Sequence, residues 1–330
     1  MKQNDVVNLL HISDIHFGAD YNSETLNALR KNALNRLVKT LSELPKAEKP
    51  DIVVISGDIT WQGKQDGYIL AKEWINELLE TLELTTNELI VCAGNHDINR
   101  EEAFAVKPPS SSKEADEWLT TEKIQYFINH FPRFDEFCND LKIPPLSLGE
   151  KKYNLVGYRD LLGLRFIVLN SSWFCRGEED RNNLWIGLPL LRLMEANSQL
   201  IDTDDYDNEI ISVGAIHHPY NWLNEEEIST YGDRPATYRY LAERSHLILS
   251  GHVHGTIDEP TRMYNRGYLI LGGATYAGGN YRNNFSILKI NKENRSVIQT
   301  PFEYDPRYSK WEKRGAKEFS LRTKFEEKKN

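Results

Sequence analysis

The sequence predicts an α/β fold, a layered sandwich of β-sheets with helices on the outer faces. Three observations carry this expectation. Roughly the first hundred residues alternate short apolar runs with amphipathic helical stretches. The later strand candidates lack intervening helices and contain many turn residues, which points to antiparallel pairs in the second half. A chain of 330 residues, 40% of them hydrophobic, can bury a core large enough for several layers.

Each element follows from local pattern. Residues 7–12 read as a strand. Residues 23–44 read as a helix, because Leu26, Leu29, Ala33, Leu37, Leu41 and Leu44 recur at three to four residues. Pro45 and Pro50 then interrupt the chain. Residues 51–55 form a continuous apolar run, as expected for a strand buried on both faces. Residues 65–82 read as a second helix with Leu70, Trp74, Leu78 and Leu82 on one stripe, and residues 89–92 as a third strand. Residues 101–150 break the rhythm: Pro108-Pro109-Ser110-Ser111-Ser112 and Pro144-Pro145 bracket a helical stretch. It is expected to be an insertion, either a cap or an elaboration that shields the sheet. Strands resume at 165–169, 210–216, 246–249, 268–271, 284–290 and 296–300. One domain is therefore expected over residues 1–300. Residues 301–330 are expected to form a charged extension, partly docked through Trp311 and Phe319, with a disordered end at 324–330.

Composition narrows the function. The net charge of -9 argues against broad binding to long nucleic acid, which needs a basic face. It leaves room for a small anion held by bound metal. The three cysteines, Cys92, Cys138 and Cys175, are widely spaced and odd in number. A reducing, cytoplasmic setting without disulfides is the expectation. The start does not read as a signal peptide, because Asn8 breaks its apolar stretch, and no run approaches the length of a membrane span. The acidic stretch 202–209 lacks the glycine and spacing of a calcium loop and reads as solvated.

Five short blocks carry the chemistry: Asp14-Ile15-His16, Gly57-Asp58, Gly94-Asn95-His96-Asp97, His217-His218-Pro219 and Gly251-His252-Val253-His254. Each follows an expected strand, and in α/β sheets functional groups collect beyond the carboxyl ends of strands. Carboxylate can bridge two cations, and imidazole and amide oxygen complete their shells. Gly57, Gly94 and Gly251 stand just before these groups, where glycine allows close backbone approach. Any one block occurs by chance; five in this order constitute a signal. His11, His130 and His246 have no such context and read as structural, and Cys92 reads as a buried hydrophobe.

This series resembles the calcineurin-like metallophosphoesterase superfamily, whose blocks run DxH, GD, GNH[DE], H and GHxH. The resemblance covers residues 14 to 254. It implies a four-layer α-β-β-α sandwich of two mixed sheets flanked by helices. Carried over by position, it implies that Asp14, His16 and His254 hold a first metal and that Asp58 bridges. Asn95, His217 and His252 would hold a second, with His96 as the catalytic histidine. His218 then falls to a supporting role. The implied reaction is phosphodiester hydrolysis by a hydroxide bridging two metal ions, with His96 assisting the leaving group. Manganese and iron lead the candidate metals; zinc, cobalt and nickel also suit the mixed N/O set.

Departures from family patterns narrow the branch. Protein Ser/Thr phosphatases show GDxVDRG and GNHE; here Asp58 leads into Ile59-Thr60-Trp61-Gln62-Gly63, and the third block ends in Asp97. Purple acid phosphatases place a metal-binding tyrosine where Trp61 stands. The motif style is closest to the cyclic-nucleotide and glycerophosphodiester phosphodiesterases. A small phosphate ester such as a nucleotide is the expected substrate. The alternatives are a nuclease acting on DNA or RNA, a phosphomonoesterase, and a non-catalytic scaffold on the same fold. Arg100, Tyr276, Tyr281 and Arg282 are the candidate substrate contacts, beside aromatic-basic neighbourhoods around Arg181 and Trp222. Asp97 is expected either to orient His96 or to fix its loop, with the loop role preferred. Oligomeric state is left open.

Overall fold

The computed structural model describes residues 5–99, 107–203, 210–255, 259–279 and 281–321. Strands β1 (Val6–Ile12), β2 (Ile52–Ile55) and β3 (Leu89–Val91) run parallel, each followed by one of the first three blocks. Helix α1 (Glu24–Ser42) links β1 to β2, and α2 (Gln65–Thr81) links β2 to β3. Ser23 caps α1 by accepting the Leu26 N–H at 3.3 Å.

The apolar runs alternate between two layers. Val7 and Leu9 of β1, with Ile52 and Val54 of β2, face the second sheet. Leu10, Ile12, Val53 and Ile55 face the helices. That is why these strands are apolar on nearly every residue: both faces are buried.

On α1 the buried stripe is Ala33, Leu34, Leu37, Val38 and Leu41; Leu26 and Leu29 are exposed. The inner place they were expected to share is taken by Arg30. Its Nε pairs with Asp20 at 2.9 Å, and its guanidinium donates to the carbonyls of Ile15 and Tyr276. On α2, Leu70 is likewise exposed, while Ala71, Trp74, Ile75 and Leu78 face the sheet.

Three short helices occupy the expected insertion: α3 (Ser112–Trp118), α4 (Ile124–Ile128) and α5 (Pro132–Asp140). Ile124, Phe127, Phe131, Phe134 and Phe137 are buried in the same apolar cluster as α1 and α2. The second sheet begins inside the same span with β4 (Leu146–Leu148), followed by β5 (Lys151–Tyr153), β6 (Gly157–Leu161) and β7 (Leu164–Leu169). It continues with β8 (Ile211–Ile216), β9 (Leu247–Ser250), β10 (Thr261–Arg262) and β11 (Tyr268–Leu271). Helices α6 (Leu188–Ala196) and α7 (Thr237–Ala242) lie between β7, β8 and β9, which are parallel. This corrects the expectation that the later strands lack intervening helices. Pro189 at the start of α6 and the shortness of α7 hid both from the periodicity.

The antiparallel pairs expected in the second half are β12 (Asn284–Asn291) on β1 and β13 (Ser296–Asp305) on β12. Strand β13 runs straight through residue 300, where the division into domain and extension was expected. Beyond it, β14 (Lys310–Lys313) and β15 (Lys317–Ser320) both pair with β13. Trp311 is buried and its Nε1 donates to the Ala33 carbonyl at 2.9 Å, which docks this segment on α1. The end at 322–330, the segment 100–106 and most of the acidic stretch lie outside the described residues.

The result is two mixed sheets face to face with helices outside. One has the order β14-β13-β12-β1-β2-β3 with β15 beside β13, the other β10-β11-β9-β8-β7-β6-β4-β5. Among the described residues no helix is long and apolar enough to cross a membrane.

Candidate metal centre

The loops after β1, β2, β3, β8 and β9 converge. Their backbones are bent sharply: Asp14, His16 and Asp58 have φ of 53° and His252 has φ of 69°. Left-handed backbone at non-glycine residues costs of order 1–3 kcal/mol each and collects at functional sites. Cross-bracing holds it here. Asp14 N–H donates to Gly57 O, and Ile15 and His16 N–H both donate to Asp58 O, each at 3.0 Å. Glycine is required where these loops touch: a Cβ on Gly94 would collide with Asp58 Oδ1, and one on Gly251 with Ser13 and Asp14.

The side chains meet at one point. His16 Nε2 lies 3.1 Å from Asp58 Oδ2, and His217 Nε2 lies 3.4 Å from that same oxygen. His254 Nε2 lies 3.1 Å from Asp14 Oδ1, and His16 Nε2 4.0 Å from it. Asn95 Oδ1 is 3.1 Å from His217 Nε2 and 3.0 Å from His252 Nδ1. The sets Asp14, His16, His254 and Asp14, Asp58, His217 each bring donor atoms within 4.8 Å of one another.

Neighbouring groups fix which atoms face inward. His217 Nδ1 donates to the Ser56 carbonyl at 2.8 Å, which turns Nε2 toward Asp58 and Asn95. Asp14 Oδ2 accepts from Ser13 Oγ at 2.6 Å and from the His252 N–H at 2.9 Å, leaving Oδ1 toward His254. Asp58 Oδ1 accepts the His96 N–H at 2.7 Å, leaving Oδ2 free to be shared.

The electrostatics describe buried anions in search of cations. Burial alone would raise the Asp14 carboxyl; the His254 hydrogen bond and the His217 charge outweigh it and bring it down to about 2. Burial opposes ionisation of Asp58 as well, yet His217 and His96 hold it well below the usual carboxylate range. Burial lowers His217, but Asp58 overrides this and raises it to about 9. Partial burial and the charge of His217 push His252 down to about 3, so it stays neutral. Carboxylates, an amide oxygen and inward-facing imidazole nitrogens in one buried cluster fit a pair of cations, which would take the place of the ring protons.

The supporting residues fall into place. Asp97 accepts N–H bonds from Gly94, Thr60 and Ile59 at 2.9, 3.0 and 3.2 Å, so it fixes the loops as expected. Burial, then the charge of Asp58, push its carboxyl up to about 7. His218 Nδ1 is 2.7 Å from Ser171 Oγ, and a ligand atom of His218 lies within 4.8 Å of those of His217 and His252. His11 is buried against Ser56 Oγ at 2.9 Å. Cys92 is buried, with its thiol pushed up by burial.

The expected substrate contacts divide. Tyr281 is 51% exposed and meets His254 edge-on at 5.4 Å, at the rim of the centre. Arg282 is exposed beside it. Tyr276 is only 3% exposed, with Arg30 stacked on its ring at 4.7 Å, so it anchors the loop instead of reaching a ligand. Arg100 lies outside the described residues. Two rings at the centre were not singled out from sequence for the contacts they make. Trp61 stacks on His96, and Trp222 meets His252 edge-on at 4.0 Å. Arg30, alone on an otherwise apolar helix stripe, was the one such residue with a visible signal.

Two mixed sheets whose strand ends deliver this donor set define an α/β protein with a metal-capable centre. A model described as calcineurin-like phosphoesterase matches residues 7–256, and the chain belongs to that family. YydB of Bacillus subtilis (strain 168), an uncharacterized metallophosphoesterase-like protein, is 22% identical over 328 residues, 93% of this chain and 61% of YydB. One chain of the nuclease SbcCD of Escherichia coli (strain K12) is 30% identical over 89 residues, 27% of this chain and 21% of that protein. The chain thus spans less than two thirds of the length of the curated relatives it matches. Among solved structures, a dimetal phosphatase from Danio rerio aligns with 89% of this chain and 95% of its own, at 12% identity and a TM-score of 0.47.

Proposed function

We propose that the protein is a two-metal phosphodiesterase acting on a small diester such as a nucleotide, in a reducing cytoplasm. The observation that carries this reading is the shared oxygen. Asp58 Oδ2 faces His16 on one side and His217 on the other, at 3.1 and 3.4 Å. Asp14, His16 and His254 would hold one cation. Asn95, His217 and His252 would hold the other, with Asp58 between them. Manganese or iron suits this set best, and zinc, cobalt or nickel also fit it. When bound, such cations would supply nucleophilic water at neutral pH and neutralise charge on the phosphoryl oxygens.

The chain's own residues do the rest. Asp14 and Asp58 keep the cluster anionic enough to retain metal. Ser13, Ser56 and the Gly57 and Asp58 carbonyls hold the ligands in place. His96 gives a ring proton to the departing alkoxide, and Tyr281 and Arg282 at the rim meet the rest of the substrate. The three described cysteines are all free and buried, which supports a reducing compartment.

The SbcCD match supports a nuclease as the second reading. The net charge of -9 weighs against it, because grip on long nucleic acid needs a basic face. A hydrolysis screen over monoesters, cyclic nucleotides and oligonucleotides, with Mn²⁺ added, separates the readings. Cyclic or short linear diesters should be cleaved fastest; preferred cleavage of long single strands would replace this proposal with the nuclease. His96→Ala should keep its metal and lose about 10²–10⁴-fold in rate on an alkyl ester. Full activity in that variant would remove His96 from the mechanism.

A further inference from the structure

Trp61 is a large side chain with no place in the core. It stands three residues after Asp58, is only half-buried, and belongs to neither apolar cluster. Among the described residues its ring contacts are two histidines of the centre. It lies flat on His96, with centroids 4.1 Å apart and planes 16° apart. It meets His16 edge-on at 5.7 Å. His16 in turn stands against His96 at 5.1 Å and 86°. The His96 imidazole therefore sits in a corner, with Trp61 as its floor and His16 as its wall.

The floor is itself anchored. Trp61 N–H donates to the Phe17 carbonyl at 2.9 Å, and Gly63 N–H donates to the His96 carbonyl at 2.7 Å. Thr60 N–H donates to Asp97 at 3.0 Å. The loop carrying Trp61 is thus tied to the loop carrying His96 on either side of the indole. Stacked aromatic pairs favour an offset parallel geometry, so such a floor restricts the tilt of the ring above it.

We propose that Trp61 is a positioning residue for His96, fixing the plane from which the imidazole protonates the leaving group. This rests on the reading of His96 given above. In that step the oxygen of a hydroxide ion bonds to phosphorus, the P–O bond to the leaving group breaks, its electron pair stays on the departing oxygen, and that oxygen takes the proton from the His96 ring nitrogen. The imidazole regains a proton from solvent. Misplacing a general acid by a fraction of its reach costs rate only where the leaving group needs a proton.

The test compares Trp61→Leu, Trp61→Phe and His96→Ala on two substrates. Bis(p-nitrophenyl) phosphate expels a phenolate that leaves without help; a cyclic nucleotide expels a ribose alkoxide that does not. Trp61→Leu should lose about 10–100-fold on the cyclic nucleotide, and at least several-fold less on the aryl ester. Trp61→Phe should restore most of the loss, since a flat ring again lies under the imidazole. Bound metal, measured by elemental analysis, should stay at the wild-type level in all three. A second readout needs no turnover. In the metal-free protein, the His96 ring protons, assigned by their loss in His96→Ala, should move downfield in Trp61→Leu as the indole ring current disappears.

Equal losses on both esters, or an unmoved His96 resonance in Trp61→Leu, would overturn the inference and leave the function intact if His96→Ala still shows its leaving-group dependence. If His96→Ala cleaves the cyclic nucleotide at full rate, the reading of His96 itself fails, and this inference falls with it.

Discussion

The first sheet brings both carboxylates and the amide to the centre, while the second sheet brings imidazoles: His217 after β8, His252 and His254 after β9. The two also hold their groups differently. The loops after β1, β2 and β3 are braced against one another by backbone bonds and by Asp97. The loop after β9 is fastened largely through the first sheet, with His252 N–H on Asp14 Oδ2 at 2.9 Å and His254 on Oδ1 at 3.1 Å. The negative charge and the frame thus come from one side and most of the imidazoles from the other, His16 being the first sheet's own. Removing the shared carboxylate, Asp58, should damage both halves, and removing an imidazole only its own.

Asp58→Asn should have the largest effect. It lowers the charge of the one oxygen shared by His16 and His217. Metal binding should fall by more than the roughly 10–100-fold typical of groups one layer out, with activity falling alongside it. Elemental analysis after dialysis reads this directly. Two metals retained per chain would break the assignment of Asp58 as the bridge.

His254→Ala should cost less and sharpen the asymmetry. Burial lowers the His254 imidazole, but its hydrogen bond to Asp14 raises it overall, so its partner is the first half of the centre. One metal should be lost and the one beside Asn95, His217 and His252 kept. Loss of both would mean that the halves are not separable.

The same asymmetry explains what was legible in the sequence. The five blocks could be read because each stands at the end of an apolar run, as in Ile52–Ile55 before Asp58. A layered sandwich with helices outside followed from strands apolar on both faces; the count of four layers came from the resemblance to the family. Edge strands were missed because they are short and polar: Lys151–Tyr153 is exposed along most of its length. Strand β14 was missed for a similar reason, since only Trp311 of its four residues is buried. Leu26 and Leu29 matched a helical stripe that Arg30 occupies instead. Trp61 could be seen to replace a ligand tyrosine, but its stack on His96 joins loops after different strands, and no local pattern records that.

The smallest effect on the reaction should come from the opposite end of β9, where His246 precedes the strand as His252 follows it. His246 is buried; its Nδ1 accepts the Ser212 N–H at 3.0 Å, and Arg295 lies at 3.4 Å from Nε2. Burial, reinforced by the Arg295 charge, pushes it from 6.5 down to about 3. The folded state therefore keeps it neutral, while the unfolded chain binds a proton below about 6.5. Its contribution to stability is complete above that pH and is lost as pH falls toward the folded value. His246→Gln offers an oxygen to the same N–H and has nothing to titrate. Activity at neutral pH should be unchanged. Between about pH 6.5 and 4 the wild type should lose roughly 3 kcal/mol more stability than the variant, read by denaturant unfolding of the metal-free proteins. Parallel losses would place the acid sensitivity elsewhere. Asp14 is held down at about 2 by its imidazole partners, so its share would be lost only under more acidic conditions.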